Sequence, residues 1–305
     1  MNDFTFRLLA YIMSTVFFMF LLWITLVGLT RQVSPDIKST LIWRLYIMPF
    51  VNPLYFLQKA REKGIAIAAF NVHNLETIQA VVEGAAEERS PVMIQTTPGT
   101  LKHAGIPYVA ACVKEAAKLY DIPIALHVDH CPSYETIIQC IQHGYTSVMI
   151  DGSGLPYEEN VALVSKVVET AHYAGVAVEG ELGRIGGTED DMTVDDEDAF
   201  FTVPSEAREF VAATGIDFLA VAIGTAHGVY KGEPKLQFER LSAIKKVVDL
   251  PLVLHGASGI GESSIKEAIG RGICKINIAT ELKIPMAEAI KQSFANNPEE
   301  NDPRN

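Results

Sequence analysis

The sequence predicts an α/β protein built as a (β/α)8 TIM barrel preceded by an N-terminal hydrophobic helix. Three observations carry that prediction. From Ile65 onward, short apolar β-prone runs alternate with helix-length segments, making eight units over about 250 residues, the count and size of a parallel barrel. Ionisable and amide side chains gather at the C-terminal ends of those runs, the face that carries chemistry in such barrels. The first run is followed by Asn71-Val72-His73-Asn74 rather than by G-x-G-x-x-G, which argues against a doubly wound open sheet.

The expected strands are Ile65–Phe70, Val92–Thr96, Ile124–Val128, Ser147–Ile150, Val176–Gly180, Phe218–Ile223, Leu252–Leu254 and Lys275–Ile278. Between and after them lie helical stretches at 75–88, 108–120, 134–143, 158–174, 205–214, 238–248, 263–271 and 281–294. Ser133 with Glu135, and Pro204-Ser205-Glu206, are helix starts. Gly144 and Gly272 sit where C-terminal caps belong.

Composition narrows the classes. At 49% hydrophobic residues the chain has ample material for a core and is not disordered. Its net charge of -12 argues against a nucleic-acid partner, which needs a basic face. The four cysteines form no C-x-x-C pair, so neither a disulfide scaffold nor a cysteine-rich zinc site is expected, and a reducing, cytoplasmic location is.

The first fifty residues differ from the rest. Leu8 to Leu29 is uncharged for 22 residues, enough helix to span a bilayer core of about 30 Å. Arg31, Lys38 and Arg44 follow it and only Arg7 precedes it, which would leave the body in the cytoplasm. The segment reads either as a membrane anchor or as a mis-assigned start that does not belong to the enzyme. Residues 1–47 carry a net +2 and the remainder a net -14, so the boundary falls at Met48.

Several polar residues sit where one rim would collect them. His127, Asp129 and His130 end the third run, Glu179 and Glu181 the fifth; His227 follows the sixth, His255 ends the seventh, and Asn277 lies in the eighth. His130, His227 and His255 come from three strands, the donor set of a catalytic zinc site with an open fourth position. The alternative is a set of buried, hydrogen-bonded histidines. A zinc hydrolase of barrel type would bring H-x-H on the first strand, which is absent. Leu254 to Gly261 (LHGASGIG) has the composition of a phosphate cradle ahead of a helix N-terminus. Gly183 to Asp191 (GRIGGTEDD) is a candidate mobile lid, or else a solvated acidic loop.

These motifs, together with AFNVHN (69–74), TPGT (97–100), SVMIDGS (147–153), AVAIGTAHG (220–228) and KINIATELK (275–283), resemble the class II, zinc-dependent ketose-bisphosphate aldolases from about Met48 to Arg304. AIGTAHG, HGASG and NIATEL, with Ala279 two residues after Asn277, resemble the tagatose-1,6-bisphosphate branch more than the fructose branch. The resemblance implies a zinc aldolase that cleaves D-tagatose 1,6-bisphosphate to dihydroxyacetone phosphate and glyceraldehyde 3-phosphate. It implies zinc on His130, His227 and His255, with Glu181 at an alternative metal position. Asp129 would be the acid/base at the C4 oxygen and Glu189 the lid carboxylate serving C3. The triose-phosphate site would comprise Gly228, Gly256, Ala257, Ser258, Asn277, Ile278, Ala279 and Thr280. A monovalent cation near the phosphate loops, a homo-oligomer and a companion subunit belong to parts of the family.

A fructose-1,6-bisphosphate aldolase and a non-catalytic, membrane-tethered or partner-subunit homologue stay open. Family members continue past Asp302-Pro303-Arg304 into a further helix, so residues 48–305 read as a C-terminally truncated barrel.

Overall fold

The structure, a computed structural model, describes residues 50–189, 192–195, 199–230, 232 and 234–302, with only the backbone of Glu189 and Met192. The expected hydrophobic helix at 8–29 lies outside the described residues. Among the described residues, no helix is long and apolar enough to cross a membrane.

In chain order the elements are α1 (Leu54–Lys63), β1 (Ile67–Asn71), α2 (Leu75–Glu87), β2 (Val92–Thr96), α3 (Pro98–Ala104), α4 (Ile106–Leu119), β3 (Ile124–Cys131), α5 (Tyr134–Gln142), β4 (Ser147–Ile150), α6 (Tyr157–Tyr173) and β5 (Ala177–Leu182). There follow β6 (Gly186–Glu189), β7 (Met192–Val194), α7 (Pro204–Thr214), β8 (Phe218–Val221), β9 (Ala226–His227), α8 (Phe238–Val247), β10 (Leu252–Leu254), α9 (Glu262–Gly270), β11 (Ile273–Ile278) and α10 (Thr280–Asn296). Eight of the strands close a parallel barrel in the order β1-β11-β10-β8-β5-β4-β3-β2. The predicted starts and caps have physical counterparts: the Ser133 hydroxyl accepts the N–H of Thr136, and Gly144 and Gly272 adopt positive φ just past α5 and α9.

The boundaries differ from the sequence reading where local chemistry intervenes. The first strand begins at Ile67, not Ile65, because Gly64 turns left-handed to end α1 and the N–H of Ile65 bonds back to the Ala60 carbonyl. The third strand runs on to Cys131, so Asp129 and His130 belong to the strand itself. Helices α1 and α3 are additions; α3 starts at Pro98 behind a Thr97 hydroxyl that accepts the Thr100 N–H. The polar segment after β5 is also more ordered than a loop: Gly186–Glu189 pairs antiparallel with Met192–Val194 and parallel with Ala226–His227.

Strand alternation gives the barrel two environments. The outward residues pack under the helices in one large apolar cluster that includes Val82, Leu126, Val148, Val178, Phe210 and Leu241. Low in the interior, Ile67, Ala69, Met93, Ala125, Ala177, Phe218, Ala220 and Val253 form a second cluster, plugged by Phe56, Leu57 and Ala60 of α1. Two residues further along the same strands the interior turns polar, since side chains repeat with a period of two. Ala69 is followed by Asn71, Met93 by Gln95, Ala125 by His127 and Asp129, Ala177 by Glu179 and Glu181, and Val253 by His255. The dry floor thus supports a wet upper layer.

Leu57 is fully buried in that floor. Leu57→Ala is expected to destabilise the fold by about 2–5 kcal/mol. Denaturant unfolding should show a lower midpoint with an unchanged slope; an unaltered midpoint would mean that α1 does not seal the barrel.

Candidate active site

The polar layer is organised by three histidines. His130 stands at the top of β3 with φ +46, an uncommon backbone conformation for a residue with a Cβ and one that turns its ring toward the barrel mouth. Its Nδ1 lies 2.8 Å from Asp151 Oδ2, and Asp151 is itself held by the Ser153 N–H. His255 follows β10, and its Nε2 lies 2.7 Å from Glu179 Oε1. Each carboxylate accepts the N–H of the nitrogen it faces, which leaves His130 Nε2 and His255 Nδ1 confronting one another at 2.7 Å. At that distance one nitrogen donates a proton to the other, and the same two nitrogens are the ones a metal would take in place of that proton. His227, on β9, completes the group: its ring centroid is 4.9 Å from that of His130 and 5.9 Å from that of His255.

One donor nitrogen from each of the three lies within 4.8 Å of the others. The donor set therefore fits a divalent ion, and the two carboxylate–histidine pairs are what such a site uses to fix ring orientation. A second group, His130 with Asp151 and Glu181, shares His130. Electrostatics agree with a cation at this point. Burial alone would depress all three imidazoles, yet His130 is held well above its ordinary pKa by Asp129, Asp151 and Glu181. His227 and His255 fall well below theirs, through burial and then the charge on His130. Burial, reinforced by Asp151, lifts the Glu181 carboxyl to about 8.

Asp129, fully buried beside His130, is ringed by amides. Its carboxylate accepts from Asn71 Nδ2 at 3.0 Å, from Asn277 Nδ2 at 3.2 Å and from Gln95 Nε2 at 3.4 Å. Gln95 also donates to Asn71 Oδ1 at 2.7 Å, which turns the Asn71 amino group toward Asp129. Asn71 and Gln95 were not singled out in the sequence; their signal was an amide at the last or next-to-last position of β1 and β2. His127 lies one layer lower, inside the barrel, with Nδ1 2.8 Å from Ser147 Oγ. Burial, then Lys275, holds it well below the usual imidazole range.

Beside the histidines, Gly228, Gly256, Ser258, Asn277, Ala279 and Thr280 line one cavity together with Thr188, His227 and Lys283. The N-terminus of α10 opens into it beside Lys283, and the Ala279 and Glu281 N–H groups there donate to the Ser258 hydroxyl. Two expected members stand apart: Ile278, whose side chain strand alternation turns away, and Ala257, in the turn after β10, pack with the apolar layer between strands and helices. A Cβ on Gly256, at φ +62, would collide with the Ala226 carbonyl, so glycine is required for this close approach of two turns. Tyr230, also unforeseen, ties the same two turns: its hydroxyl accepts the Ala226 N–H at 2.8 Å and donates to the Gly256 carbonyl at 2.7 Å. Glu189 ends β6 through backbone pairing with Met192; its side chain lies outside the described residues.

A parallel barrel whose buried histidines and carboxylate meet at the C-terminal ends of its strands is an enzyme of the (β/α)8 class. Residues 51–305 match the family described as fructose-bisphosphate aldolase class-II. The chain belongs to that family. It is 55% identical over 257 residues, 84% of this chain and 90% of the other, to the D-tagatose-1,6-bisphosphate aldolase subunit GatY of Klebsiella oxytoca. Among solved structures it is similar to the YdjI aldolase of Escherichia coli K12, with TM-score 0.71 and 37% identity over 80% of this chain and 86% of that one. It is also similar to the fructose-bisphosphate aldolase of Campylobacter jejuni, with TM-score 0.68 and 27% identity over 82% of each chain.

Asp151→Asn keeps the shape of the His130 partner but removes its charge. Metal affinity, read by competition with a chromophoric chelator, is expected to fall about 10–100-fold. Undiminished affinity would show that Asp151 does not orient His130.

Proposed function

We propose that the chain is a zinc-dependent aldolase that cleaves D-tagatose 1,6-bisphosphate to dihydroxyacetone phosphate and glyceraldehyde 3-phosphate. The observation that carries the reading is the convergence of His130, His227 and His255, one nitrogen of each within 4.8 Å of the others, with carboxylates behind His130 and His255 and the amide-ringed Asp129 beside them. The tagatose assignment is supported by the 55% identity to the Klebsiella oxytoca protein and by Ala279. Catalysis is assigned to residues 48–305, with residues 1–47 an extension.

His130, His227 and His255 would hold the ion. When bound, it supplies positive charge that offsets the negative charge left on the three-carbon fragment as the C3–C4 bond breaks. Asp129 takes the proton of the C4 hydroxyl during cleavage and returns it to the aldehyde oxygen during condensation. Asn71, Gln95 and Asn277 keep both of its oxygens oriented for that exchange. Glu189 serves the proton on C3 once the hairpin closes over the site. The cavity of Gly228, Gly256, Ser258 and Thr280 holds the phosphate of the ketose fragment at the positive end of α10, where the Ser258 hydroxyl yields the Ala279 and Glu281 N–H groups to it. Burial of Asp129, His130 and His255 shields that side of the developing carbanion from water.

Asp129→Ala and His130→Ala are each expected to abolish cleavage in a coupled triose-phosphate assay with zinc supplied, and His130→Ala alone should lower bound zinc. Near-normal turnover with full zinc in His130→Ala would overturn the ligand assignment. Side-by-side kinetics should give a higher kcat/KM for tagatose than for fructose 1,6-bisphosphate. The reverse order would place the chain with fructose-specific members, and no EDTA-sensitive cleavage of either sugar would favour a non-catalytic partner subunit.

A further inference from the structure

Lys275 has no exposed surface, and a buried ammonium is tolerated only where its hydrogen bonds are made. It stands on β11, two residues before Asn277, so both side chains point into the barrel on the same face. Its Nζ donates to Glu179 Oε2 at 2.8 Å and to Asn277 Oδ1 at 2.8 Å. The other oxygen of Glu179 is the one that holds His255 Nε2. The other end of the Asn277 amide is the one that donates to Asp129. One ammonium therefore joins the two halves of the site. None of the steps above uses it, and with both contacts made it is not poised as a nucleophile.

We propose that Lys275 is a positioning residue that sets the Asn277 amide toward Asp129 and the Glu179 carboxylate toward His255. An amide has one donating and one accepting end, and Lys275 decides which end faces Asp129. A flipped Asn277 would set its oxygen against the carboxylate and its amino group against the ammonium, two repulsive contacts in a dry interior where each is felt strongly. The same ammonium draws Glu179 to the β11 side of the barrel, and with it the ring of His255. The inference rests on the aldolase reading for its catalytic consequence, but not for its effect on the metal ligands.

The test uses the full chain in four forms: wild type, Lys275→Met, the neutral pair Lys275→Met/Glu179→Gln, and that pair with Asn277→Ala added. The pair removes both charges together, while the amide oxygen introduced by Glu179→Gln can still accept from His255, so it guards against a single variant that fails to fold. Zinc affinity by chelator competition needs no turnover; Lys275→Met should weaken it about tenfold, and the pair should recover it. In the pair, melting temperature should also return to near wild type. Its kcat, however, should stay down by about 100-fold with KM little changed, because Asn277 remains unpinned and Asp129 misplaced. Adding Asn277→Ala to the pair should cost little more, since the contact it removes is already lost.

Recovery of kcat to near wild type in the pair would overturn the proposal and leave Lys275 a mere counter-ion for Glu179. So would undiminished zinc affinity in Lys275→Met. A wild-type chain that binds zinc but cleaves neither sugar would count against the aldolase reading, while the zinc arm would still decide whether Lys275 steers the ligands.

Discussion

Two imidazole nitrogens held 2.7 Å apart, at hydrogen-bond distance, set the terms for the upper barrel. The two rings keep this relation because each is gripped from behind by a carboxylate, Asp151 at His130 and the fully buried Glu179 at His255. Asp151 and Glu179 are thus as necessary to the centre as the histidines, and each is anchored in turn, Asp151 by the Ser153 N–H and Glu179 by Lys275. The positive φ of His130 belongs to the same design, since a relaxed extended residue there would not aim its ring at the other two.

Charge on this scale inside a protein must be supported by a rigid, dry surround. The barrel provides it through layering. The lower interior is alanine, isoleucine, methionine and phenylalanine closed by α1, and the polar groups begin only one strand step higher. Among the described residues an apolar floor underlies this layer, and the layer borders the cavity at the start of α10. Two turns that carry ligands, one at His227 and one at His255, are brought to contact distance by Gly256 and tied by Tyr230. His227, His255 and the cavity lined by Gly228 and Gly256 therefore lie on adjoining turns, which on the proposed reading keeps the ketose phosphate in fixed relation to the reacting carbon.

Membership of the class-II aldolase family accounts for the site as a whole, and the departures from a plain barrel lie around its mouth. Strands β6 and β7 pair antiparallel and β9 joins β6 as a third strand, which links β6 to His227. A glycine-rich, acidic stretch reads as loop because its residues have little strand preference; the pairing comes from the partner strand, not from the segment.

The eight-fold alternation, the polar strand ends and the three histidines follow from residue order alone, because strand period and apolar runs are local properties that do not depend on closure. Ser133 and Gly144 marked their helix ends for the same reason. What surrounds Asp129 was decided by the tertiary structure. Asn71, Gln95 and Asn277 reach it from three strands, and Lys275 meets Glu179 across a separation of 96 residues. Those meetings depend on the register with which the sheet closes on itself, since a shift of one residue would send each of these side chains out into the helix layer. No single strand carries that register in its own residues; it emerges only when all eight are in place.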